Sequence, residues 1–299
     1  MNSEETPTIT IIGAGPAGIA TAIQLNRYGI NPILLEKNAI GGLLRNANLV
    51  ENYPGFPKGI SGLRLVSLFQ KQLEERRIEV LFEEVKKIDW EGGRFQVETQ
   101  RRTFFSRLVV VASGTKPKEF TDFEIPEEIR DKIFYEISPI REVKQKRIAI
   151  IGAGDAAFDY ALGLASANQV VILNRDQTVS CLSLLQERTK LSPHITYCSN
   201  ARVTKLRKNS RDKLCLEGAT PKGVSKLYAH YIVFAIGREP QLDFLSPRLK
   251  EQAAQLVEKG ALYLIGDVKN GCFRQTAIAT GEGVRTAMKI YWKLEKGCP

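Results

Sequence analysis

The apolar positions of the chain gather in short β-rich runs that close on glycine, each followed by a stretch compatible with a helix. The first run, TITIIG at 8–13, leads into a predicted helix from Pro16 to about Tyr28 and then into the strand NPILLEK, which makes a β-α-β unit. RIAIIG at 147–152 repeats the plan, with a helix through about Ser166 and the strand QVVILN at 169–174. Between the two units the pattern predicts an amphipathic helix at about 61–77, the strand IEVLF, the alternating segment RFQVETQ and the buried run RLVVVASG. YIVFAIG at 231–237 parallels that last run. A loop region follows, then the strand ALYLIGD at 261–267. A closing helix is predicted from about Arg274 to Leu294, with Ile278, Ala287, Ile290 and Leu294 available for its apolar face.

Each β-α-β unit carries a glycine turn. Gly13, Gly15 and Gly18 form G-x-G-x-x-G directly after a strand, and Glu36 ends the next strand 23 residues after Gly13. Glycines in that spacing admit a tight turn and let backbone N–H groups approach a pyrophosphate, the helix N-terminus stabilises the anion, and the acid accepts ribose hydroxyls. The order of strand, turn, helix, strand and terminal acid makes this a dinucleotide cradle of the FAD type. The second cradle has Gly152, Gly154 and Ala157, the alanine keeping helix and strand close. Where Glu36 stands in the first unit, the second has Asn174, then Arg175 and Asp176. The arginine can meet a 2′-phosphate and the acid would repel it, so NADPH and NADH both remain open, with a lean to NADPH.

Two cradles imply an α/β protein of two doubly wound Rossmann-like domains, the NAD(P)-type one inserted into the FAD-type one. The expected FAD-binding domain is 1–117 plus 240–299, and the inserted domain is 118–239. Lys116-Pro117-Lys118 and Glu239-Pro240 are the crossing points, because proline interrupts strands. An apolar fraction of 43% covers a core, which sets disorder aside. The acidic, polar N-terminus has no signal-peptide pattern and no run is long enough to span a membrane, so a cytoplasmic location without membrane insertion is expected. Five cysteines without C-x-x-C spacing fit a reducing compartment, and two distant histidines, His194 and His230, leave no metal site. The net charge of +10 reads either as a solvated basic exterior or as a field for an acidic partner; nucleic acid is excluded, since no aromatics interleave the basic runs.

Four further segments carry a family resemblance: GGLLRNANLVENYPGFP at 41–57, VVVASGTKP at 109–117, FAIGREP at 234–240 and YLIGDVKNGCFRQTAIATGEG at 263–283. In order and spacing the chain resembles the low-molecular-weight thioredoxin reductases over essentially its whole length. The resemblance implies that Gly41, Gly42 and Asn52 lie along the flavin, that Asp267 binds the ribityl chain, and that Arg274, Gln275 and Thr276 approach the isoalloxazine or its chain. Ala17, Ala112, Gly114 and Gly266 complete the implied cofactor-binding set. It also implies a homodimer.

The departures bear on function. Tyr135-Glu136-Ile137-Ser138 stands where the family's redox-active Cys-x-x-Cys belongs. Without two thiols a protein cannot store the flavin's electrons in a disulfide and pass them on by exchange. The family's phosphate clamp is reduced to Asn174, Arg175, Asp176 and Ser180. Cys272 is the best substitute thiol, although isolated cysteines mostly behave as small apolar residues. Ala17 occupies the place where reductases of the bacillithiol type carry a cysteine. His194 reads as a surface residue, and Tyr135 either stacks on the vacated flavin face or simply packs. No side-chain catalyst or metal is assigned. The leading expectation is an FAD-dependent NAD(P)H oxidoreductase passing electrons directly to an external acceptor, an acidic ferredoxin or flavodoxin or a small molecule. The alternatives are a flavoenzyme acting on a small molecule without nicotinamide and a catalytically silent flavin-binding regulatory protein.

Overall fold

The computed structural model describes residues 9–209, 213–220 and 223–296. Thr8 of the first run, Cys298, and residues 210–212 of a basic run lie outside the described residues. The α-helices are α1 (Pro16–Arg27), α2 (Gly62–Glu75), α3 (Asp155–Leu164), α4 (Ser183–Leu191), α5 (Pro247–Glu258) and α6 (Thr276–Lys296). The chain divides into two units: the first is Met1–Arg45, Val50–Lys116 and Glu239–Pro299, the second Asn46–Leu49 and Pro117–Arg238.

The first unit is built on a parallel sheet in the order Leu262–Leu264, Leu108–Val111, Ile9–Ile12, Ile33–Glu36, Val80–Phe82. Its central strands are apolar but for Thr10 and the terminal Glu36 because both faces are covered, and the buried Thr10 hydroxyl is satisfied by that of Ser106 at 2.6 Å. Along Leu108–Val111 the side chains alternate: Leu108 and Val110 pack with Ile19 of α1 and Ile290 of α6, while Val109 and Val111 pack with Leu249 of α5 and with Ile88 and Phe95. Ile88 and Phe95 belong to an antiparallel sheet of Val85–Glu91, Arg94–Thr99 and Thr103–Ser106. Helices α1 and α6 approach closely at Gly283, where a β-carbon would come within 2.3 Å of the Ala17 carbonyl oxygen.

The second unit repeats this plan. Its parallel sheet runs Ile195–Cys198, Gln169–Leu173, Arg147–Ile151, Tyr231–Phe234, Ile133–Phe134. Ile148 and Ile150 pack against α3 through Phe158 and Ala161, and Ala149 and Val171 pack against an antiparallel meander of Arg202–Lys208, Leu214–Thr220 and Gly223–Ala229.

Three expectations are corrected. The segment between FAIG and ALYLIGD is not loop throughout, because α5 occupies Pro247–Glu258; Ser246 caps it by accepting the Leu249 N–H at 3.0 Å, with proline at its first turn. The runs 231–237 and 261–267 are strands only to Phe234 and Leu264, and Gly266–Val268 forms a tight 3-10 turn. Ile278 is exposed, since the buried face of α6 runs through Ala279, Thr286, Ala287 and Ile290.

Candidate dinucleotide cradles

In the first unit Gly13 follows the strand Ile9–Ile12 at φ +102, a backbone conformation that excludes other side chains, and its β-carbon would collide with the Ala112 carbonyl oxygen at 2.5 Å. Gly18 has the same constraint one turn into α1: a β-carbon there would lie 1.9 Å from the Gly13 carbonyl oxygen. Gly15 differs. A β-carbon on it would meet nothing within 4 Å, and as N-cap of α1 it brings no side-chain hydrogen bond to the helix's first N–H groups. Those donors and that open space fit a diphosphate. Glu36 ends the neighbouring strand and is nearly buried; its Oε2 accepts the Ala14 N–H at 2.8 Å and its Oε1 the Asn38 N–H at 2.9 Å. Each oxygen keeps a lone pair able to accept a ribose hydroxyl.

Several of the other residues singled out from the sequence in this unit lie against that turn. Gly41 donates its N–H to the Ala14 carbonyl at 2.7 Å, and a β-carbon on Gly42 would stand 3.5 Å from Gly15 Cα. Ala112 is buried beneath Gly13, and Gly114 accepts the Gln241 N–H through its carbonyl. Ala17 packs against Gly266, whose β-carbon would lie 3.0 Å from that of Ala17, so Ala17 serves packing. Asn52 and Gln275, far apart in the chain, are joined by an amide hydrogen bond of 2.9 Å. Asp267 lies half-buried in the 3-10 turn, Arg274 half-buried just before α6, and Thr276 opens that helix. Sequence reasoning missed Glu282. Its Oε2 accepts the Gly266 N–H at 2.7 Å and an Asn270 amide N–H at 3.0 Å, while Lys269 stands 3.4 Å from its other oxygen. Burial acts to raise its pKa, but the Gly266 and Asn270 hydrogen bonds and the Lys269 charge outweigh it and hold the carboxyl below the ordinary glutamate value.

The second unit shows the same turn. Gly152 sits against the Ala235 carbonyl as Gly13 does against that of Ala112, and Ala157 is fully buried. Gly154 is the N-cap of α3 without a side-chain cap, and Ser180 Oγ, at 3.8 Å from its β-carbon position, is its nearest neighbour. The Ser180 N–H donates to Ala153, and the Leu182 N–H to Asp155 Oδ1, so the loop after Leu173 folds back beside the cradle. Asn174 is buried and committed within that loop: its amide donates to the Thr178 carbonyl and the Tyr197 hydroxyl, and its Oδ1 accepts the Asp176 N–H. It therefore shapes the loop, whereas Glu36 offers an acceptor. Arg175 and Asp176 are exposed, Nε to Oδ2 3.4 Å.

At 135–138 the groups present are structural. The Tyr135 hydroxyl accepts the Phe120 N–H at 3.1 Å and its ring packs against Phe234, centroids 5.5 Å apart, so packing accounts for this tyrosine. Glu136 pairs with Arg238 at 3.0 Å and accepts from Asn46, whose Oδ1 takes the Ser138 N–H. Cys181, Cys198, Cys215 and Cys272 are all free thiols. Burial, then the Asp155 charge, pushes Cys181 up to about 11, and burial also raises Cys198, both changes disfavouring thiolate. Cys272 is exposed, and His194 is exposed at the start of Ile195–Cys198. Among the described residues no helix is long and apolar enough to cross a membrane.

A family model described as pyridine nucleotide-disulphide oxidoreductase matches residues 7–283. The thioredoxin reductase of Chlamydia pneumoniae is 27% identical over 94% of this chain and 96% of its own length. That of Mycoplasma genitalium is 29% identical over 94% and 93%. Among solved structures, T. acidophilum thioredoxin reductase superposes with a TM-score of 0.82 at 27% identity, covering 95% of this chain and 97% of that one.

Proposed function

The chain belongs to the pyridine nucleotide-disulphide oxidoreductase family, and from that premise we propose that it takes reducing equivalents from NAD(P)H through FAD and delivers them directly to an external acceptor, with no thiol pair between. The family is one of flavoprotein oxidoreductases using FAD and a pyridine nucleotide. FAD, when bound, supplies the chemistry: it accepts a hydride and releases its electrons singly or in pairs. The chain supplies binding and alignment. The Gly15 turn and the α1 N-terminus receive the diphosphate, Glu36 receives ribose hydroxyls, and the Asn52–Gln275 and Gly266–Glu282 pairs fix the segments that flank the flavin. The Gly154 turn and α3 receive the nicotinamide nucleotide, with Arg175 and Asp176 beside its ribose.

The observation that carries the direct-delivery reading is the commitment of Tyr135, Glu136 and Ser138 to packing and hydrogen bonds, in a chain with no two cysteines at C-x-x-C spacing. Internal relay by thiol exchange needs a thiolate facing a disulfide, and those positions hold neither. The net charge of +10 favours an acidic carrier protein of the ferredoxin or flavodoxin type, by steering encounter.

Anaerobic mixing tests the proposal. Either nicotinamide bleaches the flavin of the purified protein, an acidic carrier restores its colour at a rate that falls with added salt, and thioredoxin disulfide is left unreduced. Failure of both nicotinamides to bleach the flavin, or thioredoxin turnover as fast as carrier turnover, overturns it.

A further inference from the structure

Both histidines of the chain line one groove in the second unit, well away from its glycine turn. The groove, of about 590 Å³, lies at the N-terminal ends of Arg147–Ile151, Gln169–Leu173 and Ile195–Cys198, whereas Gly152 and Arg175 follow the opposite ends of those strands. Its polar lining is cationic or neutral: Lys146, Arg147, His194 and His230 contribute, and no carboxylate does. Among the described residues neither Lys146 nor Arg147 has a carboxylate within ion-pair distance. Ala165 and Val170 give the groove apolar wall.

The two rings present matched donors. His230 Nδ1 accepts the Arg147 N–H at 2.9 Å, and Gln169 Nε2 lies 2.9 Å from His194 Nδ1. With Nδ1 occupied as acceptor, each neutral ring carries its proton on Nε2 and can donate from there. At the end of α3 the Leu164 carbonyl accepts the Asn168 amide and the Gly163 carbonyl the Ser166 hydroxyl. Burial first, then the charges of Lys213 and Lys146, depress the pKa of His230 against the opposing effect of the Arg147 backbone hydrogen bond.

We propose that this groove binds a small organic phosphate, with Lys146, Arg147 and the Nε2–H groups of His194 and His230 holding the phosphate and the apolar wall holding the organic part. A phosphate monoester dianion matches the chemistry: guanidinium and ammonium neutralise two charges, imidazole N–H groups donate to the remaining oxygens, and the volume exceeds what a bare phosphate fills. The site lies at the opposite strand ends from the Gly152 turn of its own unit, so its ligand is a second molecule rather than part of a dinucleotide bound at that turn.

Because the chain has only two histidines, their ring carbon-bound proton signals report on this groove alone. The test titrates histidine-labelled, FAD-loaded protein by NMR, with phenyl phosphate, inorganic phosphate, or sodium chloride at matched ionic strength. Saturable shifts of both rings' signals with phenyl phosphate are expected, with the apparent pKa of His230 raised by about one pH unit. Inorganic phosphate is expected to act more weakly. Lys146→Ala and Arg147→Ala, both at surface side chains that leave the His230–Arg147 backbone bond intact, are each expected to weaken binding about tenfold while flavin absorbance is unchanged. Histidine signals that do not move with phenyl phosphate, an equal shift with sodium chloride, or unchanged binding in both variants would overturn the proposal.

Discussion

The carboxylate of Glu282 in α6 accepts the backbone N–H of Gly266 at 2.7 Å, so the long closing helix fixes the turn that carries Asp267. Glu282→Ala leaves Gly266 and Asn270 without that acceptor and is expected to cost about 1–3 kcal/mol of stability and to lower retained FAD. The contribution depends on pH. A carboxyl held below its ordinary value of 4.5 stabilises the fold fully above that pH and loses its effect as pH falls through the lowered folded-state value. Urea unfolding of the native protein and Glu282→Gln from pH 7 to pH 3 checks this: the gap in stability narrows below about 4.5, and a gap that widens there contradicts the assignment.

Tyr135 is held by Phe120 and Phe234 within the second unit. Tyr135→Phe removes one hydroxyl acceptor and is expected to cost about 1 kcal/mol, whereas Tyr135→Ala also empties ring volume beside Phe234 and costs about 3–5 kcal/mol. If packing is the whole role, the visible spectrum of bound flavin is the same in Tyr135→Phe. A shifted flavin band in that variant would show that the hydroxyl acts on the flavin.

Both glycine turns and the doubly wound plan were legible because their signals are local: glycine spacing, an apolar run before it, a helix after it. The flanking segments were legible only through resemblance. Glu282 was not, since its hydrogen bond closes across 16 residues and a lone acid in a helix looks like any solvated one. Helix α5 did leave a signal, the Ser246 cap with Pro247 behind it, but only Leu249 and Leu256 are buried, and so few apolar positions read as loop. Ile278 misled for the opposite reason: it is apolar but one position off a face built from Ala279, Gly283, Thr286 and Ala287, where small side chains are required by the approach to α1. Asn174 occupies a ribose-binding position in sequence, yet its amide is consumed by Thr178 and Tyr197, a pairing no linear spacing discloses.

Gly15 and Gly18 sit one turn apart and separate binding from folding. Gly15 has an extended backbone, φ −79 and ψ −178, and open space around it, so Gly15→Ala is expected to leave the apoprotein within about 0.5 kcal/mol of the original while weakening FAD by tenfold or more. Gly18→Ala drives a β-carbon to 1.9 Å from the Gly13 carbonyl oxygen and is expected to lower the apoprotein's Tm outright. Thermal unfolding of flavin-free protein together with flavin titration distinguishes them. Full flavin affinity in Gly15→Ala would move the diphosphate away from this turn.

Nicotinamide choice turns on Arg175 and Asp176, whose side chains meet at 3.4 Å with 68% and 64% of their surface exposed. A pair so open to water holds its arginine weakly, worth at most about 1 kcal/mol, and leaves the guanidinium able to turn to a 2′-phosphate. The carboxylate opposes that same phosphate by like charge and can accept a ribose hydroxyl instead. Asp176→Ala is therefore expected to raise the ratio of kcat/KM for NADPH over NADH by about three- to tenfold, and Arg175→Ala to lower it by a similar factor. Reductase rates with a dye acceptor and each nicotinamide check both. An unchanged ratio in both variants would mean that the loop from Asn174 to Ser180 does not face the ribose, and that selection between the two nucleotides is made elsewhere in the second unit.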